Sequence, residues 1–125
     1  MRARINELVF DCADPAALVR FWAGLVGGEP VDRSPDWSYI DVPADEPAAE
    51  PGKYSTRLAF QRVPEGKSAK NRLHLDLAAE DVPAFSAEAV ALGATLSGGV
   101  VTDEAGSFQV LLDPEGNEFC FVSGA

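Results

Sequence analysis

Two side chains suited to acid–base chemistry, Glu7 and His74, lie near the starts of the two halves of the chain. His74 is the only histidine among the 125 residues. A carboxylate and an imidazole can exchange a proton with each other or with a ligand, so the pair is a candidate general acid and base or a polar anchor for a ligand. A hydrogen-bonded structural histidine is the alternative interpretation at this position.

The segments around these two residues predict a strand–helix–strands order that occurs twice. Asp14 followed by Pro15 is typical of a helix start, and we expect helices over 14–26 and 81–92, each ended by glycine. A glycine-rich turn is expected at 97–99. The remaining predicted elements are strands at 4–12, 37–42, 56–63, 71–77, 107–113 and 118–122, an exposed loop at 43–53 and a hairpin turn at 113–117.

The two halves form an internal repeat. Glu7 and His74 are 67 positions apart, as are Asp14 and Asp81, and the helix ends show the same spacing. The alternative is chance similarity between two generic strand–helix units. We interpret the pattern as two βαβββ modules of a single domain, the first at about residues 1–65 and the second at about 70–125.

Composition excludes several classes of partner. The chain carries 20 acidic and 10 basic residues, a formal charge of −10, which disfavours nucleic acid and anionic membranes. Its sequence has no apolar run near the roughly 20 residues that span a bilayer and no secretory signal pattern. We therefore expect a cytoplasmic protein whose two cysteines, Cys12 and Cys120, are free thiols.

Four segments carry a family resemblance that covers nearly the whole chain. In order, these are FDCADPAALVRFWAGLVGG, RLAFQRVPEGKSAKNRLHLDL, the helix end ALGA, and LLDPEGNEFC. Together they resemble the vicinal oxygen chelate superfamily, which includes glyoxalases, bleomycin-resistance proteins and extradiol dioxygenases. The small glyoxalase-like proteins of that superfamily are the most similar.

The resemblance implies an α+β fold in which two βαβββ modules form a curved mixed sheet around a shared cleft, commonly in a homodimer. Many members hold one divalent metal in that cleft through two ligands from each module. Such a metal coordinates two neighbouring oxygens of a ligand and acts as a Lewis acid. Glu7 occupies the position of the first ligand and His74 that of the third.

Strand alternation sorts the flanking residues. Side chains alternate across a strand, so those that share a parity with Glu7 or His74, including Asp76, are expected to face the cleft. The intervening residues are expected to pack on the helices; they are Leu8, Phe10 and Cys12 in the first strand and Leu73, Leu75 and Leu77 in its counterpart.

The remaining ligand positions depart from the family pattern. Where the family has carboxylates, this chain has Ala59, with Gln61 two residues on, and Cys120. A thiol favours zinc over harder cations, so Glu7, His74 and Cys120 are a candidate three-ligand site for one divalent metal such as zinc. The alternative for Cys120 is a small buried apolar residue.

Further side chains are candidates for contact with a small-molecule ligand. The two aromatic candidates suit a flat or apolar ligand, and the two arginines suit a carboxylate or enolate. Dimer packing and surface ion pairs are the respective alternatives. These candidates are Trp37, Tyr39, Arg57, Gln61, Arg72 and Asp76.

The leading functional hypothesis is a glyoxalase-like protein that binds or converts a small organic molecule in the cleft. Its catalytic form is a lyase or isomerase that works through an enolate-like intermediate, with Glu7 and His74 as the catalytic residues. The alternative is a protein of the bleomycin-resistance type that binds and sequesters a small molecule, such as a drug, without a metal. Extradiol dioxygenase activity is disfavoured because its iron site typically uses two histidines and a carboxylate, and this chain has a single histidine.

Overall fold

A computed structural model of the chain describes residues 1–44 and 54–124, without the side chains of residues 54 and 55. It divides into two compact units, Met1–Gly66 and Lys67–Ala125, which are called module 1 and module 2 from here on. Each has one helix and a four-stranded sheet with parallel and antiparallel pairs. The predicted α+β fold of two similar βαβββ modules is confirmed.

Module 1 contains five elements. Its strands follow the order β1-β4-β3-β2, with β1 parallel to β4 and the other neighbours antiparallel. The elements are β1 (Leu8–Cys12), α1 (Pro15–Val26), β2 (Val31–Ser34), β3 (Trp37–Pro43) and β4 (Tyr54–Arg62).

Module 2 repeats this arrangement. Its order is β5-β8-β7-β6, with β5 parallel to β8 and the other neighbours antiparallel. The elements are β5 (Leu75–Ala78), α2 (Val82–Leu92), β6 (Thr95–Asp103), β7 (Gly106–Leu112) and β8 (Glu118–Gly124).

Both predicted helices are confirmed, with the predicted caps. The Asp14 carboxylate accepts a hydrogen bond from the Ala17 backbone N–H at 3.2 Å, and Asp81 accepts one from Ala84 at 3.0 Å. These bonds satisfy N–H groups that have no partner inside the first turn. Gly93 ends α2 at a φ of +122°, a region that side chains with a Cβ rarely adopt.

Each helix covers one face of its own sheet. In module 1, the buried Trp22 ring meets Phe10 edge-on at a centroid distance of 5.0 Å, and Phe10 contacts Phe60 at 5.0 Å. In module 2, Phe85 of α2 contacts Phe121 at 5.8 Å. Side chains on the opposite faces of the sheets point away from the helices because the strands alternate.

Two predicted strands are shorter than the sequence suggests. β1 begins at Leu8 rather than at residue 4, and β5 begins at Leu75 rather than at residue 71, so Glu7 and His74 each precede a strand. The prediction that Leu73 packs on a helix is wrong, since it is 66% exposed. The alternation of apolar and polar residues in the sequence starts before the first residue that has a partner in the sheet. β5 pairs with β8 only over Leu75–Ala78.

Two further features differ from the predictions. β2 was not expected, because VDRS is polar and every residue of this edge strand is exposed. The predicted turn at 97–99 lies inside β6 and forms an irregularity in its pairing with β7. There the buried Gln109 amide donates to the Gly98 carbonyl at 3.0 Å. The predicted loop at 43–53 lies mainly outside the described residues.

Among the residues described, neither helix is long and apolar enough to cross a membrane.

The predicted hairpin turn between β7 and β8 is built around Asp113, which is 3% exposed. Its Oδ1 accepts hydrogen bonds from the backbone N–H groups of Glu115 at 2.9 Å and Asn117 at 3.0 Å. The Asn117 amide donates to Oδ2 at 2.9 Å. The turn therefore depends on one buried carboxylate.

We expect Asp113→Ala to lower the free energy of unfolding by about 2–3 kcal/mol, because it leaves several donors near a buried position without an acceptor. Denaturant unfolding measures the loss. Asp103→Ala is the matched control: this aspartate accepts one exposed bond, from Ala105, and should cost only a few tenths of a kcal/mol. Equal losses in the two variants would contradict this account of the turn.

Candidate functional site

The face of the module 2 sheet that lies opposite α2 carries ionisable residues. Phe119 and Phe121 of β8 are buried on the helix side. The alternate residues Glu118, Cys120 and Val122 therefore point to the other face. The neighbouring strands continue that face, since Asp76 of β5 pairs directly with Cys120.

This face holds a cavity of about 330 Å³, called the module 2 cavity from here on. Part of its wall is apolar, and five polar or ionisable side chains converge beside that part. The apolar residues are Phe108, Val110 and Val122, and the others are Lys70, His74, Asp76, Glu118 and Cys120.

Three side chains of the module 2 cavity form a compact cluster. The His74 Nε2 atom lies 3.4 Å from an Asp76 carboxylate oxygen. With the Cys120 Sγ atom, one ligand atom from each residue lies within 4.8 Å of the others. His74 and Asp76 are exposed and Cys120 is buried, so the cluster joins two solvent-accessible groups to a thiol within the sheet.

The environment of Cys120 favours the protonated form of its thiol. Burial is the main cause that raises the pKa of Cys120, and the charge and hydrogen bond of Asp76 add to it, while Lys70 acts in the opposite direction. The thiolate is the reactive form of cysteine, so this thiol is a poor nucleophile on its own. The interpretation of Cys120 as a small buried residue fits its exposure of 7%.

Glu118 positions the segment that carries Lys70 toward the module 2 cavity. Its carboxylate accepts the backbone N–H of Asn71 at 2.9 Å and contacts the Lys67 ammonium at 3.0 Å. The Asn71 bond is the main cause that lowers the pKa of Glu118, and Lys67 adds to it. Sequence reasoning missed the roles of Lys70 and Glu118, because no local pattern links Glu118 to Asn71, which lies 47 positions away.

Module 1 has apolar residues at the positions that correspond to part of the cluster. In the β1–β4 ladder, Val9 pairs with Ala59, just as Asp76 pairs with Cys120 in the β5–β8 ladder. Ala59 is fully buried and offers no side-chain donor atom. The two modules share a fold but differ in the chemistry of equivalent positions.

Arg57 is committed to partners within module 1. Its guanidinium forms a two-point ion pair with Asp41 at 2.7 and 3.2 Å and lies 4.0 Å from the centre of the Tyr39 ring. The structure therefore favours the surface ion pair that was the alternative for this residue. A ligand carboxylate would have to compete with Asp41.

The predicted site residues thus fall into separate groups. His74, Asp76 and Cys120 come together in the module 2 cavity. Tyr39 and Arg57 contact each other, and Trp37 pairs with Gln61 in the β3–β4 ladder. The remaining two are Arg72, which is exposed in module 2, and Glu7, which is half-buried before β1; the pairing of Glu7 with His74 stays a prediction.

Comparison with known proteins gives a family and a fold. A family model described as "Glyoxalase-like domain" matches residues 7–122. No curated protein matches the chain. A glyoxalase/bleomycin resistance protein/dioxygenase family enzyme from Burkholderia phytofirmans superposes with a TM-score of 0.78 at 20% identity, covering 98% of this chain and 100% of that one.

Two other solved structures have the same fold. A protein from Agrobacterium tumefaciens has a TM-score of 0.77 at 19% identity, with 99% of each chain covered. The fosfomycin resistance protein FosX from Listeria monocytogenes has a TM-score of 0.74 at 11% identity, covering 100% of this chain and 96% of that one. Identities this low support the fold alone.

We expect Glu118→Gln to lower the free energy of unfolding by about 1 kcal/mol, because the Asn71 and Lys67 bonds lose their charged acceptor. Hydrogen exchange at the Asn71 N–H should accelerate at the same time. Exposed Glu29 gives the control, and Glu29→Gln should change neither measurement. Unchanged exchange at Asn71 in Glu118→Gln would refute the anchoring role.

Proposed function

The chain belongs to the glyoxalase-like domain family, and on that premise we propose that the module 2 cavity binds a small organic molecule. One observation carries the proposal: a cavity of about 330 Å³ joins an apolar wall to the adjacent His74 and Asp76 side chains. This size and this mixture of surfaces are typical of small-molecule sites. Phe108, Val110 and Val122 would bind the carbon skeleton, since its burial releases water.

His74 supplies the polar contact in this proposal. Its imidazole, which has a carboxylate oxygen 3.4 Å away, can accept a proton from a ligand hydroxyl or donate one to a ligand oxygen. Lyase or isomerase turnover needs a second acid–base group, for which Glu7 is our candidate. Without it, the cavity serves as a binding and sequestering site of the bleomycin-resistance type.

Mandelate is a suitable probe, because it joins an aromatic ring to neighbouring oxygens. His74 is the only histidine, so its ring protons give a single, assignable set of NMR signals. We expect mandelate to shift these signals saturably. Val110→Trp, which puts an indole into the cavity, should weaken binding at least about tenfold by steric exclusion.

Val90→Trp is the matched control, since Val90 is exposed on α2, which covers the opposite face of the sheet, and does not line the cavity. It should bind mandelate like the parent protein. An absence of saturable shifts in the parent, or equal binding by Val110→Trp, would contradict the proposal.

A second candidate function, metal-assisted chemistry, is favoured by the donor atoms of His74, Asp76 and Cys120. Nitrogen, oxygen and sulfur donors fit zinc, whose bonds of about 2.0–2.3 Å place donors roughly 3.3–3.8 Å apart. The three atoms lie within 4.8 Å, so the exposed His74 and Asp76 would move inward by about 1 Å. Bound zinc would supply a Lewis acid that polarises a ligand oxygen. This donor set has Asp76 where the sequence suggested Glu7.

Cobalt(II) reports on this candidate, because a thiolate ligand gives it a strong near-ultraviolet charge-transfer band. We expect one equivalent to bind with that band, and Cys120→Ser to abolish it. A metal binds the thiolate form of cysteine, so the Cys120 thiol, whose pKa is raised, must lose its proton on binding. The apparent affinity should therefore rise up to about tenfold per pH unit while the free thiol stays protonated.

Cys12→Ala, which removes the other thiol, is the matched control and should leave the band intact. Absence of the band at saturating cobalt would exclude the metal candidate while leaving the mandelate result to decide on ligand binding.

A further inference from the structure

A second cavity, of about 570 Å³, lies wholly within module 1. It is called the Trp37 cavity from here on. The β2–β3 turn and the end of β4 surround it, and none of its residues lines the module 2 cavity. Its principal polar and aromatic residues are Arg33, Ser34, Asp36, Trp37, Gln61 and Arg62.

Trp37 and Gln61 provide one side of the Trp37 cavity. They are direct partners in the β3–β4 ladder, so their side chains leave the same face of the sheet. Trp37 is half-buried, so part of its surface stays accessible to a ligand. The cavity thus offers an aromatic surface beside an amide that can donate a hydrogen bond.

Two guanidinium groups give this cavity a positive excess in a chain of net charge −10. The Arg33 guanidinium lies 4.9 Å from the centre of the Trp37 ring. Within residues 1–44 and 54–124, it forms no ion pair with a carboxylate. Arg62 is only loosely paired, with its Nε atom 3.5 Å from Asp36, and both of these side chains are more than half exposed.

We propose that the Trp37 cavity is a second ligand site, which takes a planar aromatic carboxylate. Guanidinium groups bind carboxylates through paired hydrogen bonds and stack on flat rings. The ring of the ligand would stack on Trp37, while Arg33 moves aside to pair with the carboxylate and Arg62 supports the charge. Gln61 donates to the second carboxylate oxygen. Asp41 neutralises Arg57, whereas Arg33 forms no ion pair with a carboxylate in the described part of the chain.

Benzoate titration tests this proposal through the two tryptophans. Trp22 is 1% exposed in the core, whereas Trp37 faces the cavity, so their indole N–H signals in NMR report on different places. We expect benzoate to shift the Trp37 signal saturably and to leave the Trp22 signal unchanged. Arg33→Gln should weaken binding about tenfold, the effect of one charge-assisted contact of about 1.4 kcal/mol.

Arg4→Gln is the matched control, because it removes the same charge from an exposed position outside the cavity. It should bind benzoate like the parent protein. Trp37→Phe provides a second assignment, since the shifted indole signal should disappear from its spectrum.

Two ligand controls separate charge from stacking. Benzamide, which has the ring without the charge, and acetate, which has the charge without the ring, should each bind at least about tenfold more weakly than benzoate. Equal binding of benzamide would overturn the role of the arginines, and equal binding of acetate would overturn stacking on Trp37. A Trp37 signal that benzoate does not move would overturn the site itself.

Discussion

The alternation of side chains across each sheet is the constraint on which both candidate sites depend. Each sheet buries one face under its own helix, as Phe119 and Phe121 show in module 2. The opposite face must then carry the intervening residues, including Cys120. A shift of one residue in the β5–β8 register would exchange these faces, burying polar groups under α2 and exposing phenylalanines. The chemistry of the open face is thus tied to the packing of the helix.

Local charge pairing, rather than the net charge, decides the character of each cavity. The chain is strongly acidic, yet several of its few cations face specific carboxylates: Lys67 is held by Glu118, and Arg57 by Asp41. Such pairs largely cancel within a few ångströms, and salt screens what remains. A ligand instead meets Lys70, His74 and Asp76 in the module 2 cavity, and Arg33 and Arg62 in the Trp37 cavity.

The repeat shows how one architecture supports different chemistry. Asp76 and Cys120 face each other across the β5–β8 ladder, while Val9 and Ala59 do so across the equivalent β1–β4 ladder. Exchange of these side chains leaves the helix-facing core untouched, since they point to the other face. The face opposite the helix can therefore differ in chemistry between modules that share a fold, as is usual when sites are grafted on a common scaffold.

The sequence by itself determined the features that depend on near neighbours. These are the Asp14 and Asp81 caps, the Asp113 turn and the inward parity of β1, because each is written in a few consecutive residues. Only the tertiary structure decided where β1 and β5 begin, that VDRS joins a sheet edge, and that Glu118 holds Asn71. Those outcomes depend on partners that are distant in the chain, and a pattern of adjacent residues carries no record of which distant group will arrive beside them.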